Sequence, residues 1–96
     1  MTTTCKARPF SLGEVVATRG AIAAMEAAGD GPLFFLLRHL SGDWGEMCPG
    51  DRALNDESLK SGGRLHSAYR TAEGERIWVI TEADMSCTTL LLPDDY

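Results

Sequence analysis

The sequence predicts an α+β fold: a C-terminal antiparallel sheet of three or four strands packed with two or three helices. Residues 63–93 hold three β-prone runs separated by two short turns, the pattern of a meander. Residues 18–62 hold three helix-length segments bounded by capping and breaking residues. Because 96 residues suffice for one modest core, we expect a single domain.

The N-terminal part is expected to contribute a tail and a strand. Residues 1–9 are predicted to form a flexible tail, and residues 10–62 the strand and the helices. From Phe10 to Val16, Leu12 and Glu14 alternate with smaller residues as in a strand. This segment is expected to be a fourth strand at an edge of the meander.

Three helices are expected between residues 18 and 62. Thr18 is a suitable N-cap for the first, and Gly29 suits its left-handed C-terminal position. Pro32 opens the second, which is the most hydrophobic and is expected to end near Leu40 and lie flat on the sheet. Pro49 opens a peripheral third helix, which the glycine pair 62–63 ends.

The turns of the meander predict its register. If Glu73 and Gly74 form a two-residue turn, Tyr69 lies opposite Trp78. A second turn at residues 83–86 places Trp78 opposite Leu91. The middle strand is apolar on both faces, which predicts cover on both sides. The predicted core comprises Leu36, Leu37, Trp78, Val79, Ile80 and Leu90.

Composition and charge narrow the function classes. The net charge is −5 and the basic residues are scattered, so nucleic-acid binding is not expected. The three cysteines are widely spaced without a Cys-x-x-Cys pair, which favours a reducing, cytoplasmic location. No apolar run reaches the roughly 18 residues of a membrane span, and no secretory leader is expected. No glycine-rich phosphate-binding motif occurs, and no cofactor is predicted.

Several polar residues and one tryptophan are candidates for binding. Trp44 lies between two glycines in a loop, where such a ring either anchors the loop on the core or contacts a partner. Glu82 and Thr89, at strand ends, could bind a partner's backbone or stabilise the ladder. The predicted binding residues are Asp43, Trp44, Asn55, Glu82 and Thr89.

No catalytic residue is assigned, because no established catalytic motif occurs. The alternative is a metal-dependent hydrolase or nuclease whose ligands converge from His39, Asp43, Glu82 and Asp84. Against it, turns attract Asp for conformational reasons. A zinc site lacks close ligand pairs, and a Cys or Ser nucleophile lacks its motif.

Several linked segments carry a resemblance: 39–45 (His-Leu-Ser-Gly-Asp-Trp-Gly), Asn55, 63–69 (Gly-Arg-Leu-His-Ser-Ala-Tyr), 77–84 (Ile-Trp-Val-Ile-Thr-Glu-Ala-Asp) and 88–96. Together they resemble small bacterial proteins labelled "plasmid related protein", sometimes "type I restriction endonuclease subunit M". The resemblance implies an association with plasmids and other mobile elements and brings no activity. The second of these labels denotes a methyltransferase subunit. It does not suit this chain, which lacks the Asn-Pro-Pro-Tyr motif of adenine methyltransferases.

The expected function is therefore that of a small non-catalytic protein-binding or regulatory protein of a mobile element. A host defence or regulatory protein is the kind of target expected. The small size, the acidic charge and the resemblance motivate this hypothesis. The two-sided apolar meander also makes a homodimer plausible.

Overall fold

The computed structural model describes residues 11–96. Phe10 and the predicted tail 1–9 lie outside the described residues. The elements, in chain order, are β1 (Glu14–Ala17), α1 (Arg19–Ala28), α2 (Pro32–Leu40), α3 (Pro49–Ser61), β2 (Leu65–Arg70), β3 (Arg76–Thr81), β4 (Cys87–Leu91) and a 3₁₀ turn (Pro93–Asp95).

The fold class is α+β, as predicted, but the sheet is mixed. Its strand order is β1-β4-β3-β2, and β2, β3 and β4 form the predicted antiparallel meander. The strand β1 joins at the β4 edge and runs parallel to it, with Glu14 beside Cys87. The expectation of a purely antiparallel sheet was therefore wrong for β1. Parallel neighbours require a long crossover, and here the chain between β1 and β4 supplies it.

The helix boundaries agree with the capping signals in the sequence. The Thr18 hydroxyl accepts a hydrogen bond from the Ala21 N–H at 3.2 Å, and Gly29 ends α1 with φ of 75°. Pro32 and Pro49 open α2 and α3. Among residues 11–96, no single helix is long and apolar enough to span a membrane; only α1 and α2 together, bent by 105°, reach that length and composition.

One of the two predicted hairpin registers is correct. Trp78 lies opposite Leu91, as predicted for β3 and β4. Between β2 and β3 the prediction was wrong by one residue, because Trp78 lies opposite Ala68 rather than Tyr69. The turn has three residues, 72–74, closed by a 2.8 Å hydrogen bond from the Thr71 N–H to the Glu75 carbonyl. Its third residue is a glycine at φ of 89°, a standard geometry for a three-residue hairpin loop.

The shifted register sorts the sheet into two faces. On one face, Tyr69, Ile77, Val79 and Leu90 pack with α1 and α2 through Ala21, Met25, Phe35 and Leu36. Trp78 is on the other face, half-buried against the terminal Tyr96, with ring centroids 5.7 Å apart. Leu36, Val79, Ile80 and Leu90 are buried as predicted, whereas Leu37 is 55% exposed and was wrongly assigned to the core.

Candidate functional site

A chain of polar side chains lies fully buried between α2 and the sheet. His39 comes from α2, and Ser67, Thr81 and Thr88 come from β2, β3 and β4; each is 0% exposed. The imidazole joins the elements, with Nδ1 2.5 Å from the Ser67 hydroxyl and Nε2 2.9 Å from the Thr81 hydroxyl. One histidine therefore ties the helix to two adjacent strands, and Thr81 extends the contact to a third.

The donor and acceptor in each of these hydrogen bonds can be assigned by starting from the Leu12 carbonyl, which can only accept. Thr88 donates its hydroxyl proton to the Leu12 carbonyl at 2.7 Å, so it accepts from Thr81, also at 2.7 Å. Thr81 has then used its proton and accepts from the Nε2–H of His39. The Nδ1 atom is left to accept from Ser67. His39 is therefore neutral and protonated on Nε2.

Burial makes the neutral form strongly preferred. Loss of hydration, with a smaller contribution from His66, lowers the pKa of His39 from 6.5 to about 4. A serine hydroxyl donating to a neutral imidazole resembles a nucleophile with its base. Here neither His39 nor Ser67 has any solvent exposure, so no substrate reaches the pair as folded. The arrangement fastens α2 to the sheet.

The predicted binding residue Trp44 anchors the adjacent loop. Its ring is 5% exposed, meets the His39 ring edge-on at 5.6 Å, and donates its N–H to Asp56 at 3.2 Å. The following Gly45, at φ of 71°, lies so close to β2 that a side chain would collide with the Ala68 carbonyl and the Tyr69 ring. Of the two interpretations open from the sequence, the core anchor is confirmed.

Asp43 organises the same loop from its exposed side. Its carboxylate pairs with Arg38 at 2.7 Å and accepts the Gly45 N–H at 3.1 Å. The hydrogen bond from Arg38 lowers the pKa of this carboxyl group. The Tyr69 hydroxyl donates to the Asp43 main-chain carbonyl at 2.6 Å. The Asp43 side chain therefore holds the loop to α2, and its main-chain carbonyl holds the loop to β2.

The other acidic candidates lie at the β3–β4 turn. Asp84 accepts the Ser86 N–H at 3.0 Å, and hydrogen bonding by Ser86 lowers the pKa of this exposed carboxyl group. Glu82 is half-buried where β3 ends, and Thr89 is half-buried on β4. Within residues 11–96, no three His, Cys, Asp or Glu side chains lie together as a metal site. The proposed ligand set, with His39 sealed in the core, is not gathered there.

A small open pocket lies between α3 and the start of β2. Asn55 is buried and clamps the strand, donating to the His66 carbonyl at 2.7 Å and accepting the His66 N–H at 3.0 Å. The pocket beside it holds about 180 Å³ and is lined by Met47, Asp51, Leu54, Asn55, Arg64 and His66. Asn55, a predicted binding residue, therefore uses its amide on the protein's own backbone.

His66 has an unusual position at this pocket. Its ring meets Trp78 edge-on at 4.6 Å, and its Nε2 atom is buried without a hydrogen-bond partner among the described residues. Burial, followed by the nearby Arg64 charge, lowers the pKa of His66. A buried polar atom without a partner costs about 1–3 kcal/mol. This environment of His66 was not predicted from the sequence.

The outer face of α2 is apolar and exposed. Leu33, Phe34 and Leu37 are 62%, 56% and 55% exposed. At about 100° per residue, these three lie opposite the buried set Phe35, Leu36 and His39. The expectation that the apolar residues of this helix lie against the sheet is wrong for these three. The signal was present, since large apolar residues distributed all around a helix cannot all face one sheet.

Comparison with known proteins adds no assignment, because no protein-family model, curated protein or solved structure matches this chain.

Proposed function

We propose that this chain is a small non-catalytic protein that acts by binding another protein through the outer face of α2. The observation that carries the proposal is the exposure of Leu33, Phe34 and Leu37 on one side of the helix. Single exposed apolar residues are ordinary on protein surfaces, but a contiguous group marks an interaction surface. We call this group the α2 outer face.

The geometry suits a partner with an apolar groove. Anchors at positions i, i+1 and i+4 of a helix enter such a groove together. The helix is already fixed from beneath by Phe35, Leu36 and the His39 hydrogen bonds. Binding would therefore need little additional ordering of the α2 backbone, which favours affinity.

The biological setting is proposed from the sequence and not from the structure. Association with a plasmid or other mobile element is what the segments around residues 39–45 and 63–69 imply. A host defence or regulatory protein as target is proposed from that association together with the small size and the acidic charge. Cytoplasmic location belongs to the same proposal. No specific observation favours the metal-dependent hydrolase or nuclease, whose four residues do not form a ligand group in the described part of the chain.

The test compares two substitutions that introduce a negative charge at leucines of similar exposure. Leu37 is 55% exposed on α2, and Leu54 is 65% exposed on α3. Wild type, Leu37→Glu and Leu54→Glu are immobilised and exposed to bacterial lysate, and captured proteins are identified by mass spectrometry. The affinity of the purified partner is then measured by titration calorimetry.

We expect Leu37→Glu to lower the affinity at least roughly tenfold and Leu54→Glu to leave it within about twofold. Thermal melts check that both variants fold like the wild type. Equal binding by all three proteins, or no capture above an empty resin, would contradict the proposal.

A further inference from the structure

The two edges of the sheet differ in how they are covered. At the β2 edge, residues 44–46 run alongside the strand. The Ala68 N–H donates to the Trp44 carbonyl at 3.1 Å, and the Glu46 N–H donates to the Ala68 carbonyl at 2.7 Å. At the opposite edge, no segment among residues 11–96 pairs with the outer side of β1. Uncovered edges invite pairing with another strand.

The outward-facing groups of β1 follow from its inner hydrogen bonds. The Glu14 N–H donates to the Ser86 carbonyl, and the Thr18 N–H donates to the Leu90 carbonyl, each at 3.0 Å. Main-chain groups alternate in direction along a strand, so Val15 and Ala17 direct their N–H and C=O groups away from β4. This edge therefore presents two donors and two acceptors at fixed spacing.

The side chains of β1 do not protect this edge. Val15 and Val16 point to opposite faces of the sheet and are 43% and 41% exposed. Natural edge strands are commonly guarded by lysine, proline or a bulge. In β1 only Glu14, the first residue, is charged. The exposure of both valines also shows that neither face of the sheet is fully covered at this strand.

We infer that β1 pairs antiparallel with β1 of a second copy of this chain, about a two-fold axis at Val16. In this register Val15 lies opposite Ala17 of the second copy, and Ala17 lies opposite the second copy's Val15. Both pairs are hydrogen-bonded pairs, giving four main-chain hydrogen bonds. The two sheets then join into one of eight strands.

The register is fixed by the groups on the edge. If the register shifts by one residue, Val15 and Ala17 lie opposite residues of the second copy whose N–H and C=O groups point toward that copy's β4. No hydrogen bonds between the two copies then form. A shift by two residues leaves only one hydrogen-bonded pair within the strand.

The charges do not select this register. Glu14 lies opposite the uncharged Thr18 of the second copy. Thr18 is followed by Arg19 and donates its hydroxyl to the Asp95 carboxylate at 2.6 Å, so one positive and one negative residue flank this position. The second copy is therefore complementary to this edge in hydrogen bonding and in its apolar side chains.

The test uses two cysteines of matched exposure. In a background with Cys5, Cys48 and Cys87 changed to serine, Val16→Cys and Val15→Cys are oxidised mildly. Position 16 faces itself in a non-hydrogen-bonded pair with Cα atoms about 4.5 Å apart, within disulfide range. Position 15 lies opposite position 17 of the second copy. The Cα atoms of the two positions 15 are therefore farther apart than the roughly 7 Å that a disulfide can bridge. We expect a disulfide-linked dimer at least about tenfold more abundant for Val16→Cys. Equal yields, or no dimer from Val16→Cys, would overturn the inference.

A second measurement needs no cysteine. Val15→Pro removes an outward N–H and keeps the β1–β4 ladder, because that N–H does not bond to β4. Light scattering across micromolar concentrations should show a monomer–dimer equilibrium for the wild type and only monomer for Val15→Pro, with unchanged circular dichroism. Leu37→Glu should dimerise like the wild type, which separates this surface from the α2 outer face. A wild type that stays monomeric while a chain lacking residues 1–10 dimerises would mean that those residues occupy the edge, and would overturn the inference.

Discussion

The two histidines of this chain both lie at β2, but their ring nitrogens differ in hydrogen bonding. His39, on α2, is fully buried and both ring nitrogens are hydrogen-bonded, to Ser67 and Thr81. His66, on β2, is half-buried and has a sealed Nε2 without a partner among the described residues. Burial lowers the pKa of both rings, yet only the first is integrated into the hydrogen bonding of the core.

The difference shows that burial of the ring does not by itself make a structural histidine, because the buried ring nitrogens must also be hydrogen-bonded. A satisfied buried imidazole stabilises only while it stays neutral, and its removal leaves its partners unpaired. An unsatisfied one costs stability in any state. Three experiments test this contrast, beginning with the largest expected effect.

Replacing His39 should be the most damaging change. His39→Ala opens a cavity beneath α2 and leaves the Ser67 and Thr81 hydroxyls without their partner, so we expect the free energy of unfolding to fall by about 3–5 kcal/mol. Urea unfolding followed by circular dichroism measures this loss. His66→Ala is the matched control and should cost no more than about 1 kcal/mol. Similar losses in the two variants would remove the distinction between the histidines.

Acid should destabilise the protein through His39 before it does so through the carboxylates. The pKa of His39 is 6.5 unfolded and about 4 folded, so the unfolded chain binds the extra proton between these values and stability falls as the pH falls from 6.5 to 4. The full loss corresponds to about 3 kcal/mol at about 1.4 kcal/mol per tenfold change.

The carboxyl groups of Asp43 and Asp95, whose pKa values are lowered, lose their contribution only at more acidic pH, below about 4. Urea midpoints between pH 7.5 and 4 measure the slope. It should persist in His66→Phe; a flat profile above pH 4.5 would show that His39 is not the responsible group.

Replacing His66 should have the smallest effect and can have the opposite sign. His66→Phe keeps an aromatic ring edge-on to Trp78 and removes the unpaired Nε2. We expect a free energy of unfolding between unchanged and about 1 kcal/mol higher, because a buried polar atom without a partner is eliminated. Thermal and urea unfolding measure it. A loss above about 1 kcal/mol would show that Nε2 makes a favourable contact in the folded protein.

Local signals in the sequence predicted most of the secondary structure. Thr18, Gly29, Pro32 and Pro49 act on the residues beside them, so the helix ends could be placed without knowing the fold. The β3–β4 register was predicted correctly from its turn. The β2–β3 register failed because Gly74 ends a three-residue loop, a choice that the short Glu-Gly sequence does not distinguish from a two-residue turn.

Features that depend on distant parts of the chain could not be placed. The parallel pairing of β1 leaves no mark near Val15, because its partner comes from the last strand. The hydrogen-bonded group of His39, Ser67, Thr81 and Thr88 was not predicted, because it forms only when α2 packs across three strands. In the observed β2–β3 register, unlike the predicted one, Ser67 and Thr81 lie on the same face of the sheet. This face is covered by α2, and both hydroxyl groups contact the imidazole of His39 there.

The β1–β4 pairing also determines when the fold can be completed. Glu14 is among the first described residues to leave the ribosome, and its neighbour Cys87 is among the last. Contacts this distant in sequence slow folding, because a long loop must close before they form. During synthesis β1 stays unpaired while the helices are made, and it can join the sheet only after β4 has been synthesised. The strand whose outer edge has no pairing segment among residues 11–96 is therefore also the last to gain an inner partner.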